Sequence, residues 1–440
     1  MRTTMVVRCF LLSIVCSAAY VMGASMYSTV ADAVDAAHRA MWSRMIKDDG
    51  IMLDYTDRDG SAVIPSPEEC GQSKPNAMGW WTPIENGGFF NGLYLPAVIE
   101  RYRRTKNETD KAHAKKLASG LMLLASVSDV PGYIARGIST DGKTHYPAGS
   151  DDQTHPWFLG LYHYVKSDIP DAAEKAAIIK KMTAVADALK QNRWMSPCDG
   201  AFKGQNRGAF SGKGFRDASR LLFILRALYE VTGDDAWLTA YKAAAVEKPW
   251  KSDLDRLSIC AEGCMRDKEI DIKTQQWIFA GSQASLVELV RLDNDESRCA
   301  AYREGIRKTA QFSAGVINMY RDFDNGSEPP FRLLDWRTVL NVNWKPQASM
   351  SEATTIALNQ LRQVNLIDRT NQIVPRRDRE SAQLRDPLAA AYIVAVSGDA
   401  DIIAQNRQQI EAAIMHYDYP KIYGSLFFFA ECAYYALPEK

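Results

Sequence analysis

The sequence predicts an all-α, single-domain fold, an (α/α)6 toroid built from six helical hairpins. Three observations carry that expectation: apolar residues recur at helical spacing, strand-like alternation is scarce, and polar corners return at a regular interval. Ala31, Val34, Ala37, Met41 and Met45 follow steps of three and four, as one buried helix face requires. The same spacing is written in Leu117, Leu121, Leu124 and Val127, and again in Ile178, Met182, Val185 and Leu189.

The order of segments is more specific than their number. A largely apolar or aromatic helix repeatedly ends in a polar corner, and a charged, amphipathic helix follows. The corners are Thr105–Thr109, Ser167–Asp171, Thr232–Asp235, Asp293–Glu296 and Ser397–Asp401, with a weaker one near Asn365–Asn371. Their Thr, Ser, Asp and Asn side chains suit the start of the next helix, whose first N–H groups lack partners. The first four corners lie about 60 residues apart, enough for one helical hairpin and a long loop. Six such hairpins close a ring of inner and outer helices. An irregular bundle or a solenoid is the alternative arrangement.

Residues 1–23 read as a signal peptide. Arg2 and Arg8 form a positive start, Cys9–Val21 is mostly apolar, and Gly23 and Ala24 offer small residues for cleavage. The apolar stretch falls short of the roughly 20 residues of a spanning helix. A secreted or periplasmic location is therefore expected, with residues 24–440 as one domain. No Pro/Ser-rich linker divides them.

Charge narrows the function classes. Lys plus Arg equals Asp plus Glu at 53 each, with no long basic run, so no basic face for nucleic acid is expected. No later stretch suits a membrane span. Six cysteines follow residue 23, and an even number in an oxidising compartment permits disulfides. Cys260 and Cys264 are close enough to pair. They are also too far from any His to suggest zinc.

Long loops rich in Gly, Trp, Pro and charge precede the apolar helices: 48–87, 128–151, 193–215, 247–271 and 319–348. Loops above about 15 residues in a compact domain usually carry function. In a toroid they gather at one mouth, and three stretches there hold the candidate chemistry.

In GWWTPIENGGFFNGLYL (79–95), Trp80 and Trp81 offer flat faces for sugar rings, or else a core pair. Glu85 and Asn86 precede Gly87 and Gly88, which allow close backbone approach. The second stretch, ARGISTDGKTHYPAGSDDQTHPWFLGLYHY (135–164), is the densest polar cluster. Asp151 and Asp152 repel one another, which raises the proton affinity of one; the plainer reading is that they cap a helix. Arg136, His145, His155 and Trp157 stand near them in sequence. In the glycine-rich 198–222, Arg207, Arg216 and Asp217 suit a hydroxylated or carboxylated ligand, although Arg216 and Asp217 are equally a local ion pair. Phosphate-loop, nucleophile-elbow, HExxH and dinucleotide-binding motifs are all missing. No cofactor and no metal are expected.

SDDQTHPWFLGLYHY resembles the opening of an inner helix in the six-hairpin glycosidases, where a catalytic Asp precedes an apolar run with a Pro. NGGFFNGLYLPAVIERYRRT is similar to an earlier inner-helix entry in that superfamily. The unsaturated glucuronyl and rhamnogalacturonyl hydrolases are nearest in pattern, although Glu85 and Asn86 stand where those enzymes carry another Asp. The adjacent Asp pair is also similar to that of endo-acting mannanases of this fold. The resemblance implies a glycoside hydrolase acting on poly- or oligosaccharides, uronic-acid-containing ones among them. It implies Asp152 as general acid/base and Asp151 or Glu85 as its charge partner. Trp80, Trp81 and Trp157 would stack on sugars; Asn86, Arg136, His145, His155, Arg207, Arg216 and Asp217 would bind them. The alternatives are a polysaccharide lyase or sugar epimerase on the same fold, or a non-catalytic glycan-binding protein.

Overall fold

A computed structural model describes residues 26–267, 270–372 and 374–439. The signal-peptide expectation for 1–23 lies outside them. Helix accounts for 64% of residues and strand for 3%, which settles the all-α class. The longer helices are α1 (Val30–Ala40), α2 (Gly87–Thr105), α3 (Glu108–Leu124), α4 (Asp151–Lys166) and α5 (Ala172–Gln191). They continue with α6 (Phe215–Thr232), α7 (Asp235–Val246), α8 (Trp277–Leu292), α9 (Glu296–Ile317) and α10 (Met350–Thr370). The last three are α11 (Asp386–Val396), α12 (Ala400–His416) and α13 (Phe429–Ala436). One short hairpin, β1 (Met195–Pro197) with β2 (Asn206–Ala209), pairs antiparallel within the loop before α6.

Two kinds of helix alternate. Helices α2, α4, α6, α8, α11 and α13 are apolar or small-residue on most sides. Nearly all of α4 from Gln153 to Val165 is buried, as is Asp386–Ala395 in α11. A helix buried all round has neighbours all round. Each of the six packs on the next, α2 on α4, α4 on α6, α6 on α8, α8 on α11, α11 on α13, and α13 returns to α2. The other helices cover this set from outside: α3 on α2, α5 on α4 and α6, α7 on α6, α9 on α8 and α11, α12 on α11. Helix α1 lies on α13 and beside α12, so the first described helix covers the last.

The covering helices share a start signal. Thr29, Asn107, Asp171, Asp234, Asp295 and Asp399 each accept a bond from the first turn of α1, α3, α5, α7, α9 and α12. Five of these are the polar corners read from the sequence. Each such cap is worth about 1 kcal/mol. The predicted faces are buried at Val34, Ala37, Met41 and Met45, although Ala31 is exposed. Leu117, Leu121, Leu124, Ile178, Met182, Val185 and Leu189 are also buried.

Helices α2 and α4 make the closest approach. A Cβ on Gly92 would lie 2.0 Å from the Pro156 carbonyl oxygen, and one on Gly160 would lie 2.8 Å from that of Gly92. Only hydrogen at these positions lets the two backbones meet.

Two expectations need correction. The weak corner at Asn365–Asn371 is the C-terminal end of α10, not a hairpin turn. Helix α10 belongs to a long excursion between α9 and α11. Its Ala353 and Ala357 pack with Ala77, Met78, Ala148 and Phe202 from the loops before α2, α4 and α6. An amphipathic helix with one apolar stripe needs a surface to cover, and here that surface is loops. The proposed pairing of Cys260 with Cys264 is also absent. Both are buried and unbonded, like Cys70, Cys198, Cys299 and Cys432.

Candidate functional site

The starts of the six central helices are treated differently from the covering ones. None of α2, α4, α8, α11 or α13 has a side-chain bond from its own N-cap residue. Exposed N–H groups at a helix start favour negative charge. Carboxylates and amides from neighbouring segments supply it. Asp54 accepts from the Asn86 backbone (2.8 Å), Asp267 from Phe215 (2.7 Å) and Asp386 from Gln276 (2.9 Å). The Gln153 side-chain oxygen accepts from Phe89 (2.9 Å). Acidic groups are thereby drawn to one end of the molecule.

Loops 48–87 and 128–151 meet there through Arg136, which is almost fully buried. Its backbone oxygen accepts from Gly87 (2.8 Å), and Nη1 donates to the Glu85 backbone oxygen (3.2 Å). Nη2 donates to Ser150 Oγ (2.8 Å) and to Asp152 Oδ1 (3.5 Å). The Glu85 main chain and the Asp152 carboxylate thus share one guanidinium, whose charge also reaches the Glu85 carboxyl. The Ser150 hydroxyl also donates to Asp152.

The adjacent aspartates are divided by their partners. Asp151 Oδ2 accepts from Arg220 Nη1 at 2.8 Å, and a Cβ on Gly208 would fall 1.9 Å from its other oxygen. Burial pushes the Asp151 carboxyl above its usual range; Arg220 opposes this and the Asp152 charge adds to it. Asp152 moves the other way. Burial acts to raise it, but Arg136, the Ser150 hydroxyl and Arg207 together hold it below the ordinary carboxylate range. Asp152, expected as general acid/base, is thus the more firmly ionised member of the pair.

Glu85 is better placed to hold a proton. Burial raises its carboxyl and the Asp152 charge adds to that, against the Trp81 N–H that donates to it at 2.7 Å. Beside it stands Asp54, driven well above its normal range by burial and then by the Glu85 charge. Asn86 donates through Nδ2 to Asp54 at 2.6 Å and accepts from Gln153 Nε2 at 2.8 Å. Asn86 is largely buried in this chain of bonds, which orients Asp54, and it also lines the cavity beside Glu85.

Asp54 and Glu85 line a cavity of about 150 Å3 together with Trp81, Trp277, Arg377 and Glu380. Burial raises Glu380 too, while Arg376 opposes it. Trp81 has a φ of 74°, a costly backbone for a bulky residue. The bonds from its N–H to Glu85 and from Nε1 to the Ala357 oxygen (3.0 Å) hold it there. Non-glycine residues kept in this region concentrate at functional sites.

The remaining expected residues divide. Trp80 is half-buried with the Arg207 guanidinium 4.6 Å from its ring centre, so that face is occupied. Arg216 pairs with Asp267 at 3.1 Å. Asp217 accepts from the Gly214 N–H, and burial followed by the Asp151 charge raises it to about 6. Three residues leave the site. Trp157 is fully buried and donates to the Leu121 oxygen at 2.7 Å, with no face for a sugar. His155 is fully buried, bonded through Nε2 to Ser285 at 2.7 Å. Both follow Asp152 in a helix surrounded on all sides. His145 pairs with Asp199 at 2.9 Å beside a different depression.

Asp54, Gln153, Arg220, Trp277 and Glu380 were not singled out by sequence. Asp54 is one of five aspartates between Asp48 and Asp59, and Glu380 lies in the charged run RRDRE, which reads as a solvated face. No protein-family model and no curated protein matches the chain.

Proposed function

We propose that this chain is a glycoside hydrolase on a six-hairpin (α/α)6 toroid, acting on a poly- or oligosaccharide. The cyclic order of six buried helices, covered by a second set with capped starts, supports the toroid. The observation that carries the reaction is the opposed pair around Arg136: Asp152 held ionised, and Glu85 raised in proton affinity beside a tryptophan-walled cavity. Titratable groups pushed apart by their surroundings divide acid and base roles between them.

In this reading Glu85 gives its proton to the glycosidic oxygen as the bond to the sugar carbon breaks. Asp152 accepts a proton from the attacking water. Of the general acid/base role expected for Asp152 from sequence, this reading keeps the base half and gives the acid half to Glu85, expected as its charge partner. Burial and the Asp152 charge keep the proton on Glu85, and Trp81 supplies an apolar face for the ring. Residues 1–23, read as a signal peptide, support action outside the cytoplasm.

The test is a panel of polysaccharides with and without uronic acid, read by release of reducing ends. On a positive glycan, Glu85→Gln and Asp152→Asn each lower turnover by about 10²–10⁴. Both variants keeping wild-type turnover would remove the assignment. Products absorbing in the ultraviolet, from a new double bond, would make the enzyme a lyase.

A further inference from the structure

Away from the Asp54–Glu85 cavity, two histidines face one another across α1 and the first turns of α3. His38 Nε2 lies 3.2 Å from His113 Nδ1, and Asp110 Oδ1 lies 3.7 Å from the same His38 nitrogen. The three donor atoms fall within 4.8 Å of one another. The geometry points to a binding site for a divalent transition-metal ion of the zinc class, ligated by His38, Asp110 and His113.

Four features of the surroundings support it. Tetrahedral zinc with bonds of about 2.0–2.1 Å to nitrogen sets its ligands about 3.3 Å apart, the spacing of the two imidazoles. Behind His38, Nδ1 meets the buried Glu431 carboxylate at 2.9 Å, and Tyr94 donates to the other Glu431 oxygen. That partner keeps the proton on Nδ1 and turns the Nε2 lone pair toward His113. A carboxylate behind a metal-binding histidine orients the ring and raises its basicity. Asp110 is fixed likewise, with Thr105 Oγ1 donating to Oδ2 at 2.6 Å and Arg101 Nε to Oδ1 at 3.0 Å. The Trp42 ring stacks on His113 at 3.5 Å between centroids and 6° between planes, which locks that imidazole.

Arg39, Arg44, Arg58 and Arg101 line the groove, and the acidic groups around Arg101 offset its charge at the ligand atoms. Arg101 is paired with both Asp35 (2.8 Å) and Asp110, and Glu431 adds a further negative group. The site opens into a groove of about 840 Å3 whose lining includes His38, Trp42, Asp110 and His113, with room for a fourth ligand such as water. None of these residues lines the Asp54–Glu85 cavity.

The experiment is titration of the EDTA-dialysed full chain with Zn2+ by calorimetry and with Co2+ by visible absorption. One ion per chain is expected, with the visible bands of tetrahedral cobalt and quenching of Trp42 fluorescence by Cu2+. His113→Ala, at a half-buried position that tolerates truncation, loses affinity at least 100-fold. His145→Ala, whose ring pairs with Asp199 elsewhere, binds as wild type. Should His113→Ala unfold, Asp110→Asn is read instead, with an expected loss of at least 10-fold. A wild-type chain without stoichiometric Zn2+ or Co2+ binding would overturn the site and leave a His–His hydrogen bond. Binding left unchanged by both substitutions would overturn it equally.

Discussion

Replacing Arg136 with Met tests how the carboxylates at the helix starts are held apart. The substitution keeps much of the buried volume and removes bonds to Ser150 Oγ, the Glu85 oxygen and Asp152. Breaking a fully buried ion pair costs about 3–5 kcal/mol. Here the Asp152 side chain is 32% exposed and the contact to Arg136 is 3.5 Å, so the cost falls to about 2–3 kcal/mol, near one charged hydrogen bond. With about 2.1 cal/mol/K of unfolding entropy per residue, a chain this long loses about 2–3 °C in Tm. The pH dependence follows from Asp152. Its carboxyl is held below the ordinary value, so the folded state binds fewer protons than the unfolded one. The stability it contributes is fully present above the unfolded value of about 3.9 and is lost as pH falls through the folded value. The gap between wild type and Arg136→Met is therefore full at pH 7 and narrows below about pH 4. Adding Asp152→Asn restores part of the loss, because no charge is then left unpaired. Urea unfolding followed by near-ultraviolet circular dichroism at pH 7 and 3.5 measures each term. A variant within 0.5 kcal/mol of wild type at pH 7, or a loss identical at both pH values, would refute this account.

Two further outcomes follow. Glu85 is raised in the fold by burial, so the native state binds more protons than the unfolded one between their two values, and its stability falls as pH rises through that window. Glu85→Gln keeps an oxygen for the Trp81 N–H and is expected to be more stable than wild type at pH 7, with the advantage gone near pH 4; urea midpoints decide it. Gly92→Ala drives a methyl group to 2.0 Å from the Pro156 oxygen and should cost about 2–3 kcal/mol, read as a lower Tm with α2 and α4 forced apart; an unchanged Tm would contradict the close approach.

The amino-acid sequence alone determined the helical class and most of the hairpin corners. Those features depend on neighbours three to four residues apart. Asn107, Asp171, Asp234, Asp295 and Asp399 cap helices wherever the rest of the chain lies, because their partners are in the next turn. Glu85, Asp151, Asp152 and Arg136 were also legible, as dense polar runs just before apolar helices. Direction and partner were not. The repulsion of two adjacent aspartates implies that one of them takes up a proton more readily, without saying which; only the fold brings Arg136 and Ser150 to Asp152 and Arg220, 69 positions away, to Asp151. Trp157 and His155 have the residue types of a binding site. They lie within a helix packed on every side, and burial is a property of the neighbours. Asp54 became visible only when folding set it against Asn86, 32 positions on, because the proton affinity of a carboxyl is fixed by what surrounds it in space.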